Sequence, residues 1–217
     1  MSGELWVFAY GSLMWRPGFA SLEAHPATLV GYKRSFCIYS VHHRGNHRRP
    51  GLVLGLDRGG SCKGLAYRIA PDDAFDVLAY LKAREQINGV YRQVQAPVAL
   101  DDGGHRDAVC FIAETAHPSY AGSLPVATQA RLIRAASGLS GTNLDYLTST
   151  LEHLAALEIR ERELERVAVL CGPVLGRGSG EGRAERIRGL VNSLRSTRVS
   201  APIMPAMQRR RFIYRRN

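Results

Sequence analysis

Residues 5–10 form an unbroken apolar run that breaks at Gly11-Ser12, and Pro17-Gly18 closes the excursion. A run of this length with Trp, Val, Phe and Tyr predicts a strand buried on both faces. The stretch 27–40 (ATLVGYKRSFCIYS) is rich in β-branched and aromatic residues. It predicts one long strand, or two short ones around Gly31. A polar, basic loop covers 42–51. Strands over 52–56 and 63–70 follow, separated by a turn at Asp57-Arg58-Gly59-Gly60. Pro71-Asp72-Asp73 opens a helix that runs to about Gln86, where Asn88-Gly89 ends it. Strands over 91–100 and 107–114 flank a turn at Asp101-Asp102-Gly103-Gly104. A loop with two prolines then leads to a helix over 126–136 and a Gly/Ser-rich break. One further helix is expected over 143–170, with leucines at 144, 147, 151, 154 and 157 on its buried side. Strands joined by short turns, with one helix inserted, predict an α+β fold. Its sheet should be mixed and barrel-like with flanking helices, not doubly wound.

Composition narrows the class. At 217 residues the chain can bury a full core and still carry an appendage. Its hydrophobic and charged fractions, 45% and 22%, are those of an ordinary globular protein. No run of eighteen apolar residues points to a membrane span, and no basic, apolar leader points to secretion. Cys37, Cys62, Cys110 and Cys171 form no C-x-x-C pair and no zinc spacing. Three of them lie in strand-like surroundings, where free Cys usually acts as a small core residue, and a reduced, cytoplasmic location is expected. The net charge of +10 is unevenly distributed: eleven arginines against Glu181 and Glu185 put +9 of it in residues 172–217. The body is therefore nearly neutral. Two parts are expected: a domain over 1–171 and a basic, poorly ordered tail over 172–217, with a short helix around 184–195.

Two features carry candidate chemistry. The loop leaving the first strand presents backbone N–H groups that could hold an anion such as a carboxylate. Gly11 there either takes a turn closed to other residues or lets a ligand approach; an ordinary turn remains the alternative. Glu85 is the second feature. In the helix 72–86, Phe75, Leu78 and Leu81 mark the apolar face, and Glu85 falls on it, four residues after Leu81. Burial there would raise its pKa and make it a usable acid and base near neutral pH. A structural ion pair with Arg84 or Arg92 is the competing reading.

The segment Phe8-Ala9-Tyr10-Gly11-Ser12-Leu13-Met14-Trp15 resembles the Y-G-S-L signature of the γ-glutamylcyclotransferases, and the Trp6-Val7 and Trp15-Arg16-Pro17 flanks resemble their glutathione-specific ChaC branch. Tyr80-Leu81-Lys82-Ala83-Arg84-Glu85 with Gly89-Val90-Tyr91 is similar to the Y-L-x-x-R-E…G-x-Y segment of that branch. Further stretches match in order through Tyr146-Leu147, so the resemblance covers roughly residues 5–155. Ala9 departs from the family's usual Gly, and the tail matches nothing in it. The resemblance implies that Val7, Phe8, Ala9, Tyr10, Gly11, Ser12 and Leu13 bind substrate, with backbone N–H groups of the loop on the γ-glutamyl α-carboxylate. It implies that Glu85 is the catalytic base and acid, with Tyr91 and Tyr120 as pocket hydroxyls. The implied substrate is glutathione and the products are 5-oxoproline and cysteinylglycine, with no cofactor. Other γ-glutamyl amino acids or amines are the alternative substrates.

His42, His43 and His47 lack a carboxylate or Cys in ligand spacing, and their loop is basic, so no metal is expected. Arg44, Arg48 and Arg49 could steer an anionic substrate. The tail, with Phe212 and Tyr214 among arginines, could bind nucleic acid or an anionic surface; a solvated appendage is the simpler reading.

Overall fold

The computed structural model describes residues 4–85 and 88–172. The expected disorder and short helix of the basic tail lie outside the described residues.

Five strands close into a barrel in the order β1-β3-β2-β4-β5, where β1 is Leu5–Ala9, β2 Glu23–Ser40, β3 Gly51–Ile69, β4 Tyr91–Leu100 and β5 His105–Ala113. All neighbours are antiparallel except β1 and β5, which close the barrel in parallel through Trp6 with Ala108 and Val7 with Val109. Among the described residues four α-helices flank the barrel: α1 Ala74–Glu85, α2 Val126–Ala135, α3 Asn143–Ala156 and α4 Arg162–Cys171. This is the α+β, barrel-like mixed sheet that the strand pattern predicts. One core fills it. Phe8, Phe36, Leu29, Leu52, Leu56 and Phe111 are among its fully buried side chains.

Three elements differ from the sequence reading. The turn expected at 57–60 does not end the strand: β3 continues through it with Gly59 and Gly60 in a bulge at φ +95° and +71°, because β2 is nearly as long and pairs with it from Glu23 opposite Arg68 to Ser40 opposite Gly51. Gly31 sits between two paired stretches where the register shifts. Its φ of +90° is a conformation that favours glycine, so it marks a bulge and not a strand end. The helix expected over 143–170 is two helices. Leu144, Leu147, Leu151 and Leu154 are buried as expected, but the next buried positions are Ile159, Leu164, Val167 and Ala168. That change of phase cannot be met by one straight helix. The chain turns at Glu158, whose φ is +56°, and restarts at Arg162. Finally, Phe75 is 82% exposed and Val77 takes its place on the inner stripe of α1. At 3.6 residues per turn, Phe75 lies about 200° around the helix from Val77. The stripe that points inward is Val77, Leu81 and Glu85.

Two polar anchors fix the barrel near its mouth. Asn143, fully buried at the start of α3, accepts from the Leu52 amide at 2.6 Å and donates to the Leu52 carbonyl at 2.7 Å. Arg34, buried in β2, donates to the carbonyls of Tyr10 and Lys63, both at 2.6 Å, and pairs with Glu161 from the α3–α4 connection. A charge this deep persists because its donors are met.

Candidate active site

A cleft opens beside the end of β1. It is lined by Phe8, Tyr10, Gly11, Ser12, Leu13, Leu54, Glu85, Tyr91, Phe111 and Tyr146. Strand alternation explains the first of these: Phe8 faces the cleft and its neighbours Val7 and Ala9 face away. A single 3₁₀ turn over Ser12–Met14 follows the strand. The Met14 amide donates to Gly11 and the amides of Trp15 and Arg16 to Ser12. Among the described residues, nothing accepts from the amides of Gly11, Ser12 or Leu13. Gly11 has φ −134° and ψ −136°, outside both the left-handed region and the usual extended and helical regions. A Cβ there would meet Leu54 Cδ1 at 4.0 Å, on the cleft wall. Gly11 keeps the cleft open by leaving that space free.

Glu85 enters from the last turn of α1 and retains 16% side-chain exposure. Burial raises its pKa above the usual carboxylate value, opposed by Arg84, whose Nε lies 3.1 Å from Oε1. Arg84 also spans the site. Its Nη1 donates to the Arg16 carbonyl and to the Tyr80 hydroxyl, each at 2.8 Å, and its Nη2 to Ser12 Oγ at 2.9 Å. One guanidinium thus joins the loop to the helix that carries the acid. Arg92, the other suggested partner, pairs with Glu114 instead.

Three phenols surround the acid. Burial pushes Tyr10 and Tyr91 well above the usual tyrosine range and Tyr146 up to about 12. All three are therefore neutral at physiological pH and present hydroxyls, not phenolates. The Tyr91 hydroxyl donates to the Leu54 carbonyl at 2.7 Å, and Tyr146 accepts from the Leu54 amide at 3.4 Å.

The structure gathers Phe8, Tyr10, Gly11, Ser12, Leu13, Glu85 and Tyr91 from the sequence-derived set. Val7 and Ala9 do not line the cleft, nor does Tyr120, whose hydroxyl donates to Asp57 Oδ1 at 2.8 Å and which packs in a separate cluster with Cys37, Ile38 and Val90. Leu54, Phe111 and Tyr146 line the cleft and lie outside the sequence-derived set. Tyr146 had a signal, since it falls in a matching stretch; on a leucine-rich helix it reads as core. Among the described residues, no group of three or more His, Cys, Asp or Glu is arranged to hold a metal ion. His42 and His47 meet edge to face at 5.7 Å.

Known proteins resemble this chain over most of its length. The chain is 37% identical over 180 residues to a glutathione-specific γ-glutamylcyclotransferase of Escherichia coli K12, covering 83% of this chain and 78% of that protein. It is 32% identical over 177 residues to glutathione-specific γ-glutamylcyclotransferase 1 of Mus musculus, covering 79% of each. A solved structure of a yeast γ-glutamyl cyclotransferase specific to glutathione superposes with a TM-score of 0.67 at 22% identity, over 87% of this chain and all of that one. That likeness shows a shared fold. The family model for ChaC-like proteins matches residues 5–171, from the first strand to the end of α4, and the chain belongs to that family.

Proposed function

We propose that this protein cleaves glutathione to 5-oxoproline and cysteinylglycine, with Glu85 moving the proton. The observation that carries this reading is the pairing, across one cleft, of a buried carboxyl with a loop of unpartnered amides. The amides of Gly11, Ser12 and Leu13 hold the α-carboxylate of the γ-glutamyl group. The adjacent α-ammonium then lies towards Glu85, which accepts one of its protons. The freed amine attacks the γ-carbonyl carbon of the same residue. A carbon–nitrogen bond forms in a five-membered ring as the amide bond to cysteine breaks. Glu85 returns its proton to the departing amine, and the ring nitrogen sheds its remaining extra proton as the lactam forms, so the cysteinyl amine leaves as an ammonium and Glu85 ends as it began. Nucleophile and electrophile are in one molecule, so the protein's main task is to hold the chain curled. Such positioning can supply up to ~7–11 kcal/mol, and the proton relay roughly 10²–10⁴-fold in rate. The neutral hydroxyls of Tyr10, Tyr91 and Tyr146 line the space around the carbonyl.

The catalytic unit is residues 1–171, and four free, buried cysteines support a cytoplasmic setting. The test is product analysis: purified protein with glutathione should release 5-oxoproline and cysteinylglycine in equal amounts. Turnover of γ-glutamyl amino acids or amines, but not of glutathione, would overturn the substrate assignment.

A further inference from the structure

Beyond the cleft, Arg44 stands over Tyr146 of α3, and Arg16 follows Trp15, which stacks on the same helix; among the described residues neither arginine has an acidic partner within ion-pair distance. Tyr146, Ser149 and His153 lie three and seven residues apart, so they share one face of that helix. Trp15 stacks on His153 at 4.4 Å with an interplanar angle of 21°, and the Arg44 guanidinium lies 5.3 Å over the Tyr146 ring. Ser149 Oγ lies 3.5 Å from the His153 ring. The result is a shallow floor that starts at a cleft residue and leads outward.

Arg44 is held in place by its Nη1, which donates to the carbonyls of Ser140 at 2.6 Å and Thr142 at 3.3 Å. Its Nε and Nη2 have no partner among the described residues. Arg16, beside Trp15, is exposed, and its carbonyl is fixed by Arg84. Burial lowers the Arg44 pKa, and the nearby charge of Arg16 pushes it the same way. No carboxylate among the described residues lies within ion-pair distance of either arginine. Two cations placed near each other, one of them positioned by two carbonyls and a ring, repel until an anion arrives between them.

We infer that Arg44 and Arg16 form a second carboxylate site, which reads the terminal carboxylate of the departing dipeptide while the 11–13 loop holds the first. This rests on the cyclotransferase reading and adds its specificity: a γ-glutamyl substrate must carry an anion at its far end. Simple γ-glutamylamines lack that anion and are disfavoured.

The test separates binding from turnover. Calorimetry on the Glu85→Gln protein measures affinity for glutathione and for glutathione with its terminal carboxylate converted to an amide. Glutathione should bind on the order of tenfold more tightly, the size of one charge-assisted contact. In Arg44→Gln or Arg16→Gln, added to the same background, the ratio should fall towards one, and Arg44→Lys should restore part of it. Wild-type turnover run in parallel should show the same discrimination in KM. A ratio near one in the parent, a ratio unchanged by both arginine variants, or no binding of glutathione would overturn the site. An equal loss for both ligands would assign the arginines a structural role and overturn it too. Discriminated binding without release of 5-oxoproline would support the site and overturn the reaction.

Discussion

Arg34→Met tests whether the cleft depends on a charge buried beneath it. The Arg34 side chain has no exposure and Glu161 keeps 22%. Methionine fills much of the same volume but leaves the Tyr10 and Lys63 carbonyls without their donor and Glu161 without its partner. Removing one member of a buried pair costs about 3–5 kcal/mol, and the residual exposure of Glu161 argues for the lower end, about 3 kcal/mol. For a domain of this size that is a fall of roughly 6–12 °C in Tm, read by circular dichroism. Arg34→Met with Glu161→Met should recover most of the loss, because no unpaired charge remains. The pH dependence has a definite sign. Burial raises the Glu161 pKa and Arg34 lowers it. Without Arg34 the folded-state value rises further, so the native chain holds a proton that the unfolded chain releases. Stability then falls as pH rises through that window, and the deficit of Arg34→Met should be smaller near about pH 5 than about pH 7.5. Activity should fall as well, since the Tyr10 carbonyl borders the substrate loop. A loss under about 1 kcal/mol, or a double variant less stable than Arg34→Met alone, would refute the reasoning.

Two further outcomes follow from the site. Arg84 lowers the Glu85 pKa, so Arg84→Met should move the acidic limb of kcat/KM to higher pH, besides loosening the loop through Ser12 and the Arg16 carbonyl. An unmoved limb would show that Arg84 has no electrostatic hold on the base. Tyr120→Phe should lower Tm by a few degrees through loss of the Asp57 hydrogen bond, about 1 kcal/mol, and leave kcat/KM within about twofold. A tenfold loss of kcat/KM would return Tyr120 to the cleft.

What the sequence disclosed follows the range of each interaction. The apolar run before Gly11-Ser12 and the spacing of Leu81 and Glu85 are local, and both led to the cleft. The continuity of β3 was hidden because Asp57-Arg58-Gly59-Gly60 has turn chemistry, and only its pairing with β2 overrides it. The break at Glu158 was hidden because leucines continue in helical phase to Leu157, and the shift appears only at Ile159. Phe75 misled as the most apolar residue of its turn. Arg34 and Glu161 are 127 residues apart, and Arg44 reaches Tyr146 from another element, so neither pairing has a local signature. Only the family resemblance points Tyr120 to the pocket, and its contact with Asp57 is equally non-local.

The most direct test of the central claim is Glu85→Gln, with glutathione turnover and Tm measured on the same preparation. Gln keeps the size and removes the base, so kcat should fall by roughly 10²–10⁴-fold. Burial raises the Glu85 pKa, so ionising it opposes folding at neutral pH. The variant's Tm should therefore be equal to or above that of the wild type. Lost activity with a preserved or raised Tm is the predicted result. Activity equal to wild type, or a loss of activity that only follows a fall in Tm, would contradict the assignment of Glu85 as the proton carrier.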